Sequence, residues 1–218
     1  MLEGHMRHED HLDNRGDLAD GDVQWMTAGR GIVHSEMPQQ TEGRMRGFQL
    51  WLNLPAREKM QPAAYRDIPA AQIPRVELPG GISGKVIAGT LQAETPICGP
   101  INPSHQRIST DPLSLDVHLP PDAIFEHAVA AQHNALIYVY EGEVSVGRAQ
   151  VGQHAAGILS AGDMIVVRSG AKATKLLILA ARPIGEPVVQ YGPFVMNTRQ
   201  EIEQAISDYQ SGAFTRAA

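Results

Sequence analysis

Apolar residues in this chain come in short runs that alternate with polar positions or stop at glycine and proline. The segment Ser114–Leu119 has an apolar side chain at every second position, which is the period of a half-buried β-strand. Ala135–Tyr140 and Leu176–Ala181 are almost wholly apolar and predict buried strands. The 21 glycines and 15 prolines that separate such runs predict many brief strands with tight turns, as in a sandwich or barrel.

One stretch near the end has a helical period instead. Between Thr198 and Gln210 the apolar residues recur three or four positions apart, at Ile202, Ala205, Ile206 and Tyr209. Thr198 and Glu201 have the spacing of a capping box, and Gly212 follows as a stop signal. This pattern predicts an amphipathic helix that packs its apolar stripe against a sheet.

The segment Gly21–Pro38, GDVQWMTAGRGIVHSEMP, carries the candidate chemistry. It contains two strand-like runs, Val23–Met26 and Ile32–Met37, joined by a turn with two glycines. Side chains alternate faces along a strand, so His34 and Glu36 are expected to point the same way. An imidazole beside a carboxylate suits Fe, Mn or Zn, although a bare His-x-Glu pair is a weak signal, because exposed strands carry such pairs by chance.

This segment is similar to the signature of the pirin family, two-domain β-barrel proteins of the cupin superfamily. Further similarity follows at GFQLWLNLP (Gly47–Pro55), with Lys59 shortly after it, and at EPVVQYGPFVMNT (Glu186–Thr198). The resemblance therefore runs through nearly the whole chain. It implies an all-β fold of two cupin (jelly-roll β-barrel) domains in tandem, followed by a short C-terminal α-helix.

The resemblance also implies a metal site. Family members hold one metal ion, usually iron, through three histidines and one glutamate in the N-terminal barrel. Two of these ligands match His34 and Glu36, and the other two belong to a His-x-His motif upstream of a strand that ends in Leu-Glu-Gly. That ending matches Leu2–Gly4. We therefore expect two of the four ligands to be absent and Fe(II), or another divalent transition metal, to be bound weakly.

Three histidines near the start, His5, His8 and His11, are spaced three residues apart. They form either a local metal cluster or the polar tip of a hairpin that turns at Asp13–Gly16. The hairpin is favoured because three-residue spacing does not align side chains on one strand face. The metal site could be completed by an upstream translation start, by a second subunit, or by one of these histidines folding inward, in decreasing order of expectation.

An internal repeat supports two similar β units. Leu2–Gly4 is echoed by Tyr140–Gly142, and Gly16–Asp22 is echoed by Gly157–Asp163. Where the first copy continues to the candidate ligands, the second reads SGAKATK at Ser169–Lys175 and contains no ligand. We therefore expect the second barrel to be structural.

The proline-containing stretch Met60–Pro74 predicts a linker and the boundary between the two units. The expected division is an N-terminal metal-binding domain at residues 1–68, truncated at its start, and a second domain at residues 69–218 that includes the terminal helix. Gly47–Leu54 is apolar on both faces and predicts a strand buried on both sides. Because the first barrel is expected to lack strands, we predict that residues 1–68 are less stable than the second domain.

Charge and composition restrict the remaining possibilities. The 18 basic and 24 acidic residues give a net charge of −6, which argues against direct nucleic-acid binding. The single cysteine, Cys98, excludes an internal disulfide, fits a reducing compartment and is expected to be buried.

His118 and His127 have no companion ligand motif and are expected to be exposed or hydrogen-bonded. No apolar run approaches the roughly 20 residues that span a bilayer, and the start is unlike a signal peptide, so the sequence predicts a soluble, cytoplasmic protein.

The resemblance leaves three functions open. The first is an iron-dependent dioxygenase of the quercetin 2,3-dioxygenase type, acting on a flavonol-like aromatic substrate. The second is a non-catalytic, iron-dependent regulatory protein that acts through partner proteins. The third is a metal-free protein, because two of four ligands are absent. The cupin fold does not choose among them, since such barrels carry many chemistries; the dioxygenase ranks first, and no catalytic residue is assigned.

Overall fold

The structure, a computed structural model, describes residues 1–101 and 108–213 of the chain. It divides into two compact units, one made of Met1–Ala70 with Ile184–Ala218 and the other of Ala71–Pro183. Strands outnumber helices in both units, which confirms the all-β prediction. The C-terminal segment Ile184–Ala218 groups with Met1–Ala70, and the division into domains at residues 1–68 and 69–218 stays a prediction.

The first unit begins with five strands and one short helix. These are β1 (Met6–Asp10), β2 (Arg15–Leu18), β3 (Val23–Thr27), β4 (His34–Pro38), α1 (Ala56–Lys59) and β5 (Ala64–Ile68). Three strands form an antiparallel sheet in the order β2-β1-β4, and β3 pairs with β5. The β1–β2 pairing confirms a hairpin near the start of the chain. Its turn lies at residues 11–14 and not at Asp13–Gly16, because Arg15 and Gly16 already pair within β2.

The turn between β3 and β4 depends on Gly29. This residue has φ of +55°, and a Cβ there would lie 2.1 Å from the carbonyl oxygen of Gln61. The same oxygen accepts a hydrogen bond from the main-chain N–H of Arg30 at 2.9 Å. Only glycine combines this conformation with so close an approach, and the turn delivers the chain into β4.

Two predictions for this unit are wrong. Residues 47–54 form no strand, and the large side chains there are between 37% and 61% exposed: Phe48, Leu50, Trp51 and Leu52. An apolar strand is buried on both faces only where neighbouring elements cover it, and no described strand pairs with this segment. Met60–Pro74, in turn, is not a simple linker, because it contains β5, which pairs with β3 along its full length.

The described residues of the second unit contain twelve strands. They are β6 (Arg75–Leu78), β7 (Ile82–Ala88), β8 (Thr90–Leu91), β9 (Ile97–Cys98), β10 (Leu113–Leu119), β11 (Ile124–Ala128), β12 (Asn134–Glu141), β13 (Val144–Val146), β14 (Ala149–Val151), β15 (Ala155–Ile158), β16 (Met164–Ser169) and β17 (Thr174–Ala181). Six form an antiparallel sheet in the order β15-β12-β17-β10-β7-β6, four form a sheet in the order β11-β16-β13-β14, and β8 pairs with β9. The two larger sheets share one apolar core, which includes Val86, Val144, Val167, Leu176 and Ile178.

For three side chains of this unit the structure tests the environment that the sequence predicts. Cys98 is exposed, so its expected burial is wrong. His118 forms the expected hydrogen bond, 3.0 Å from its Nε2 to the Tyr140 hydroxyl. His127 is neither exposed nor hydrogen-bonded through Nδ1 within the described part of the chain: it is 3% exposed and stacks on Phe125. The alternation in β11 that buries Phe125 buries His127 as well.

The chain then returns to the first unit with β18 (Val189–Tyr191), β19 (Phe194–Met196) and α2 (Arg199–Gln210). The predicted capping box is confirmed: the Thr198 hydroxyl accepts from the Glu201 N–H at 3.2 Å, and the Glu201 carboxylate accepts from the Thr198 N–H at 2.8 Å. In the described residues, no helix has the length and apolar character needed to cross a membrane.

A buried lysine ties this C-terminal segment to the first unit. Lys59 is 6% exposed, and its Nζ donates to the Asn53 side-chain oxygen at 2.6 Å and to the Val195 carbonyl at 3.1 Å. One turn earlier, the N–H of Ala56 donates to the Glu186 carboxylate at 2.7 Å. These bonds explain why two distant segments of the sequence, which both resemble the pirin family, belong to one unit.

Candidate metal centre

Strand β4 presents His34 and Glu36 on one face and exposes Ser35 on the other. The Nδ1 atom of His34 lies 4.0 Å from Oε1 of Glu36, and the two side chains are 25% and 30% exposed. The alternation of an extended strand is sufficient to produce this arrangement. The strand therefore brings a nitrogen donor and an oxygen donor together at a partly open position.

The Nδ1 atom of His34 has no hydrogen-bond partner among the described residues, although the atom is buried. Buried polar atoms are normally paired, because leaving one unpaired costs about 1–3 kcal/mol. A lone pair in this situation is suited to coordinate a cation. His34 therefore fits the role of a metal ligand.

The carboxylate of Glu36 is held by Gln49. The side-chain amide of Gln49 donates to the two carboxylate oxygens at 3.2 Å and 3.5 Å. Hydrogen bonds of this kind orient a ligating carboxylate. Gln49 lies in the segment that forms no strand, so its amide contributes to the site and not to a buried sheet.

Strand β1 adds polar side chains to the same face. In the β1–β4 register His8 stands opposite Glu36, and Asp10 stands opposite His34, and directly opposed residues share a face of the sheet. Asp10 is engaged in the hairpin turn, where its carboxylate accepts the N–H groups of Leu12 and Asn14. Burial opposes ionisation of Asp10, but these hydrogen bonds and that of the Asn14 side chain outweigh it, so the pKa of Asp10 is lowered.

The three histidines near the start have different environments. His5 pairs with Asp17 at the surface, and Nδ1 of His11 accepts the N–H of Val33 at 3.2 Å. His8 is 2% exposed, its Nε2 lies 2.9 Å from Oδ2 of Asp67, and it stacks on Tyr65. The hairpin prediction therefore holds for His5 and His11, but His8 is an interior residue.

Three carboxylates, those of Asp10, Glu36 and Asp67, lie near the side chain of Tyr65. Burial raises the pKa of Tyr65, and the nearby carboxylates of Asp10, Glu36 and Asp67 raise it further. Burial disfavours a charge of either sign, whereas the carboxylates disfavour a negative charge and favour a cation. The electrostatics of the site are thus compatible with a divalent metal.

The donors fit part of a metal site and not a complete one. Among residues 1–101 and 108–213, no three histidine, cysteine, aspartate or glutamate side chains are close enough together to hold a metal ion. His34 and Glu36 supply two donors of suitable chemistry, whereas a mononuclear site of the expected kind uses four. We therefore derive no reaction step through a metal.

Sequence reasoning named His8 only as one of three histidines that could fold inward, and it missed Tyr65 and Asp67. Alternation gives a partial signal, because His8 and Asp10 share one face of β1 while Tyr65 and Asp67 share one face of β5. The contact between His8 and Asp67 spans 59 positions, and no local pattern specifies it.

Two family models match the chain. One is described as "Pirin" and matches residues 1–52, and the other is described as "Pirin C-terminal cupin domain" and matches residues 114–215. A Pseudomonas aeruginosa protein, whose name gives quercetin 2,3-dioxygenase as its expected activity, is 48% identical over 97% of this chain and 74% of its own. A pirin-like protein of Caulobacter vibrioides is 47% identical over 98% of this chain and 75% of its own.

Solved structures agree with these matches. Quercetin 2,3-dioxygenase from Acinetobacter baumannii superimposes with a TM-score of 0.83 at 32% identity, over 98% of this chain and 73% of that protein. The Escherichia coli pirin YhhW, solved in complex with nickel(II), shares the fold, with a TM-score of 0.62 at 19% identity over 84% of this chain and 70% of that protein. The identity to full-length relatives and the two family models lead to one conclusion: the chain belongs to the pirin family of two-domain cupin proteins.

Proposed function

We propose that this chain is a metal-binding protein of the quercetin 2,3-dioxygenase type that acts on flavonol-like aromatic compounds, with His34 and Glu36 as two of the metal ligands. The observation that carries the proposal is the buried, unpartnered Nδ1 of His34, 4.0 Å from the Glu36 carboxylate. The names of the Pseudomonas and Acinetobacter proteins support the reaction class. The nickel complex of YhhW supports a divalent transition metal.

The donor types match this chemistry. A neutral imidazole and a carboxylate suit Fe(II) and related divalent ions, which, when bound, supply open positions for substrate and dioxygen. Gln49 restricts the orientation of the carboxylate, and the negative surroundings favour a cation. The Glu36 carboxylate is also the acceptor for the hydroxyl proton of a phenolic substrate.

A second candidate function is metal-dependent binding of partner proteins without turnover. The observation that favours it is the exposure of Leu50 and Trp51, which are 56% and 61% exposed beside Gln49. Exposed apolar residues that are contiguous in the chain mark interaction surfaces. Both candidates require the metal, and they differ in turnover.

Metal content tests the shared requirement. The purified chain is loaded with Fe(II) without oxygen, desalted and measured by plasma emission, beside His34→Ala and beside His5→Ala, which removes a histidine that faces the surface. Because the described residues supply only two ligands, we expect less than one iron per chain in the wild type and in the control, and almost none in His34→Ala. Iron-free wild type, or an unchanged content in His34→Ala, would overturn the proposal.

Oxygen consumption with quercetin then separates the two candidates. The dioxygenase consumes one dioxygen per flavonol and loses this activity in Glu36→Gln. An iron-loaded chain that consumes no oxygen with flavonols excludes the enzyme and leaves the partner-binding function.

A further inference from the structure

We propose that the metal site is completed between two copies of this chain: the free edges of two β4 strands pair about a two-fold axis, and His34 and Glu36 of both copies bind one shared divalent ion. The inference rests on the proposed function, because His34 and Glu36 are the proposed ligands. It names a source for the donors that one copy lacks among its described residues.

Strand β4 lies at the edge of its sheet. The order β2-β1-β4 leaves its second edge without a partner strand in the described part of the chain. A strand that is unpaired on one edge is a template for pairing with another chain. The free edge ends at Pro38, which has no N–H and whose carbonyl accepts the Gln39 side-chain amide at 3.3 Å.

The hydrogen bonds to β1 show which residues of β4 point away from the free edge. The carbonyl of Val33, directly before β4, accepts the N–H of His11, and the N–H of Gln39, directly after it, donates to the carbonyl of His5. Hydrogen-bonded and non-hydrogen-bonded pairs alternate along an antiparallel ladder. The odd-numbered residues from 33 to 39 therefore direct their main-chain groups to β1.

The main-chain groups of His34 and Glu36 consequently point to the free edge. Neither residue has a backbone hydrogen-bond partner beyond that edge among the described residues. The two candidate ligands are thus also the two residues that can pair with a further strand.

One register matches these two residues to each other. When two β4 strands run antiparallel with Ser35 on the two-fold axis, His34 of each copy lies opposite Glu36 of the other, and each pair can exchange both main-chain bonds. A shift that aligns the two Glu36 residues opposes like charges and places His34 against Pro38, which has no N–H. A shift that aligns the two His34 residues leaves each Glu36 opposite Ile32, which lies outside β4.

On one face of the paired strands this register assembles four donors. Cβ atoms of opposed residues lie about 4.5–5.5 Å apart and those of diagonal neighbours about 7–8 Å apart, and the side chains of two histidines and two glutamates can converge on one ion across these distances. The two carboxylates balance the charge of a divalent ion. Without the ion they repel each other, so the pairing should depend on the metal.

The opposite face of β4 carries exposed apolar side chains. Val33 is 36% exposed and Met37 is 58% exposed. In the register centred on Ser35, Val33 of each copy lies opposite Met37 of the other, so pairing removes both side chains from water. The apolar face and the ligand face therefore favour the same register, and this agreement favours a second copy over an unrelated partner protein.

Sedimentation velocity tests the pairing on the whole chain, with nickel(II) as the probe because it avoids the oxidation of Fe(II). We expect the metal-free chain to sediment at 23.6 kDa and nickel to double this mass, with one nickel ion per two chains in a calorimetric titration. His34→Ala should keep the single mass with and without nickel. A wild-type chain that binds one nickel ion and keeps the single mass would overturn the proposal.

A charge swap tests the register. Met37 faces Arg7 within one copy, so Met37→Glu suits the single chain. Met37→Glu combined with Val33→Glu places like charges opposite each other between the copies and should abolish the nickel-dependent dimer. Met37→Glu combined with Val33→Lys places opposite charges there and should restore it.

Ile158→Glu is the matched control, because it adds a charge at a residue of the second unit that is 88% exposed, and it should dimerise as the wild type does. Both altered β4 positions are exposed, so the double variants should keep the circular dichroism of the wild type. Loss of the dimer in both double variants, or in neither, would overturn the proposed pairing.

These outcomes separate the shared site from the proposed function. Nickel bound by single chains overturns the shared site and leaves the proposed function in place. A metal-linked dimer that, loaded with Fe(II), consumes no oxygen with quercetin supports the shared site and excludes the dioxygenase. A chain that binds no metal overturns both.

Discussion

In the second unit the two large sheets meet over an apolar core, whereas the facing strands of the first unit meet over histidines, carboxylates and a tyrosine. Within residues 1–101 and 108–213, the buried apolar side chains of the first unit are only Leu18, Ile68 and Ile202, and the other buried apolar side chains belong to the second unit. Large exposed apolar residues show the reverse distribution, since only Ile124, Ile158 and Met164 lie in the second unit.

This contrast separates stability from function. Apolar burial stabilises by roughly 25 cal/mol per Å², whereas buried polar groups contribute little net stability and destabilise when unpaired. The first unit keeps an unpartnered nitrogen on His34 and fixes His8 with Asp67. Because its interior is polar and buries fewer apolar side chains, the first unit should be the less stable one.

The largest effect on stability is expected when a leucine is replaced by alanine, once in the core of the second unit and once on the surface of the first unit. Leu176→Ala removes a fully buried side chain from the second unit and should lower the free energy of unfolding by about 2–5 kcal/mol. Leu50→Ala, at a leucine of the first unit that is 56% exposed, should change it by less than about 0.5 kcal/mol. Urea unfolding followed by circular dichroism measures both, and equal losses would contradict the contrast.

A smaller effect is expected at the buried lysine of the first unit. Lys59→Met removes the side-chain donor to the Val195 carbonyl and one of two donors to the Asn53 side-chain oxygen, which still accepts from the Leu54 N–H. It should destabilise this unit by about 1–3 kcal/mol. Tryptophan fluorescence is a selective probe, because Trp25 and Trp51 are the two tryptophans of the chain and both lie in the first unit. Lys172→Met, at an exposed lysine of the second unit, is the control, and the same loss there would refute the role of Lys59.

The capping box allows a more local perturbation. Thr198→Ala removes the hydroxyl that accepts from the Glu201 N–H and should destabilise α2 by about 1 kcal/mol. Thr198→Ser should have little effect. Amide exchange in α2 provides the measurement, and slow exchange unaltered by Thr198→Ala would show that packing alone holds the helix.

The smallest effect on stability is expected from the protonation of His127. Burial lowers the pKa of His127 below its ordinary value of 6.5, so the unfolded chain binds the proton more readily than the folded one. Stability is therefore fully present above pH 6.5 and falls as the pH drops below it. The urea midpoint of the second unit should decrease from pH 7 to pH 5 more steeply in the wild type than in His127→Phe; parallel profiles would contradict this.

Local sequence patterns were sufficient to predict much of the fold. The alternation in β10 and the capping box of α2 depend on neighbours within a few residues, and the structure confirms both. The shared face of His34 and Glu36 follows from the same period. Each of these features requires only the geometry of one element.

The missed features depend on residues that are distant in the sequence. Burial of Gly47–Leu54 requires neighbouring strands, so its apolar character alone did not predict its environment. Pro62 and Pro69 were interpreted as a linker, yet they flank β5 without entering it. His8 becomes an interior residue only through Asp67, which belongs to a different sheet, and this pairing has no local signature.

Hydrogen exchange of the whole chain, measured by mass spectrometry with and without anaerobic Fe(II), examines the division between the two units. Without metal, amides of β1 to β5 should exchange faster than those of β10, β12 and β17. Fe(II) should slow exchange in β1 and β4 and leave residues 71–183 unchanged. Equal exchange in both units, or protection by metal in the second unit alone, would contradict the assignment of the ligand site to the less stable, polar unit.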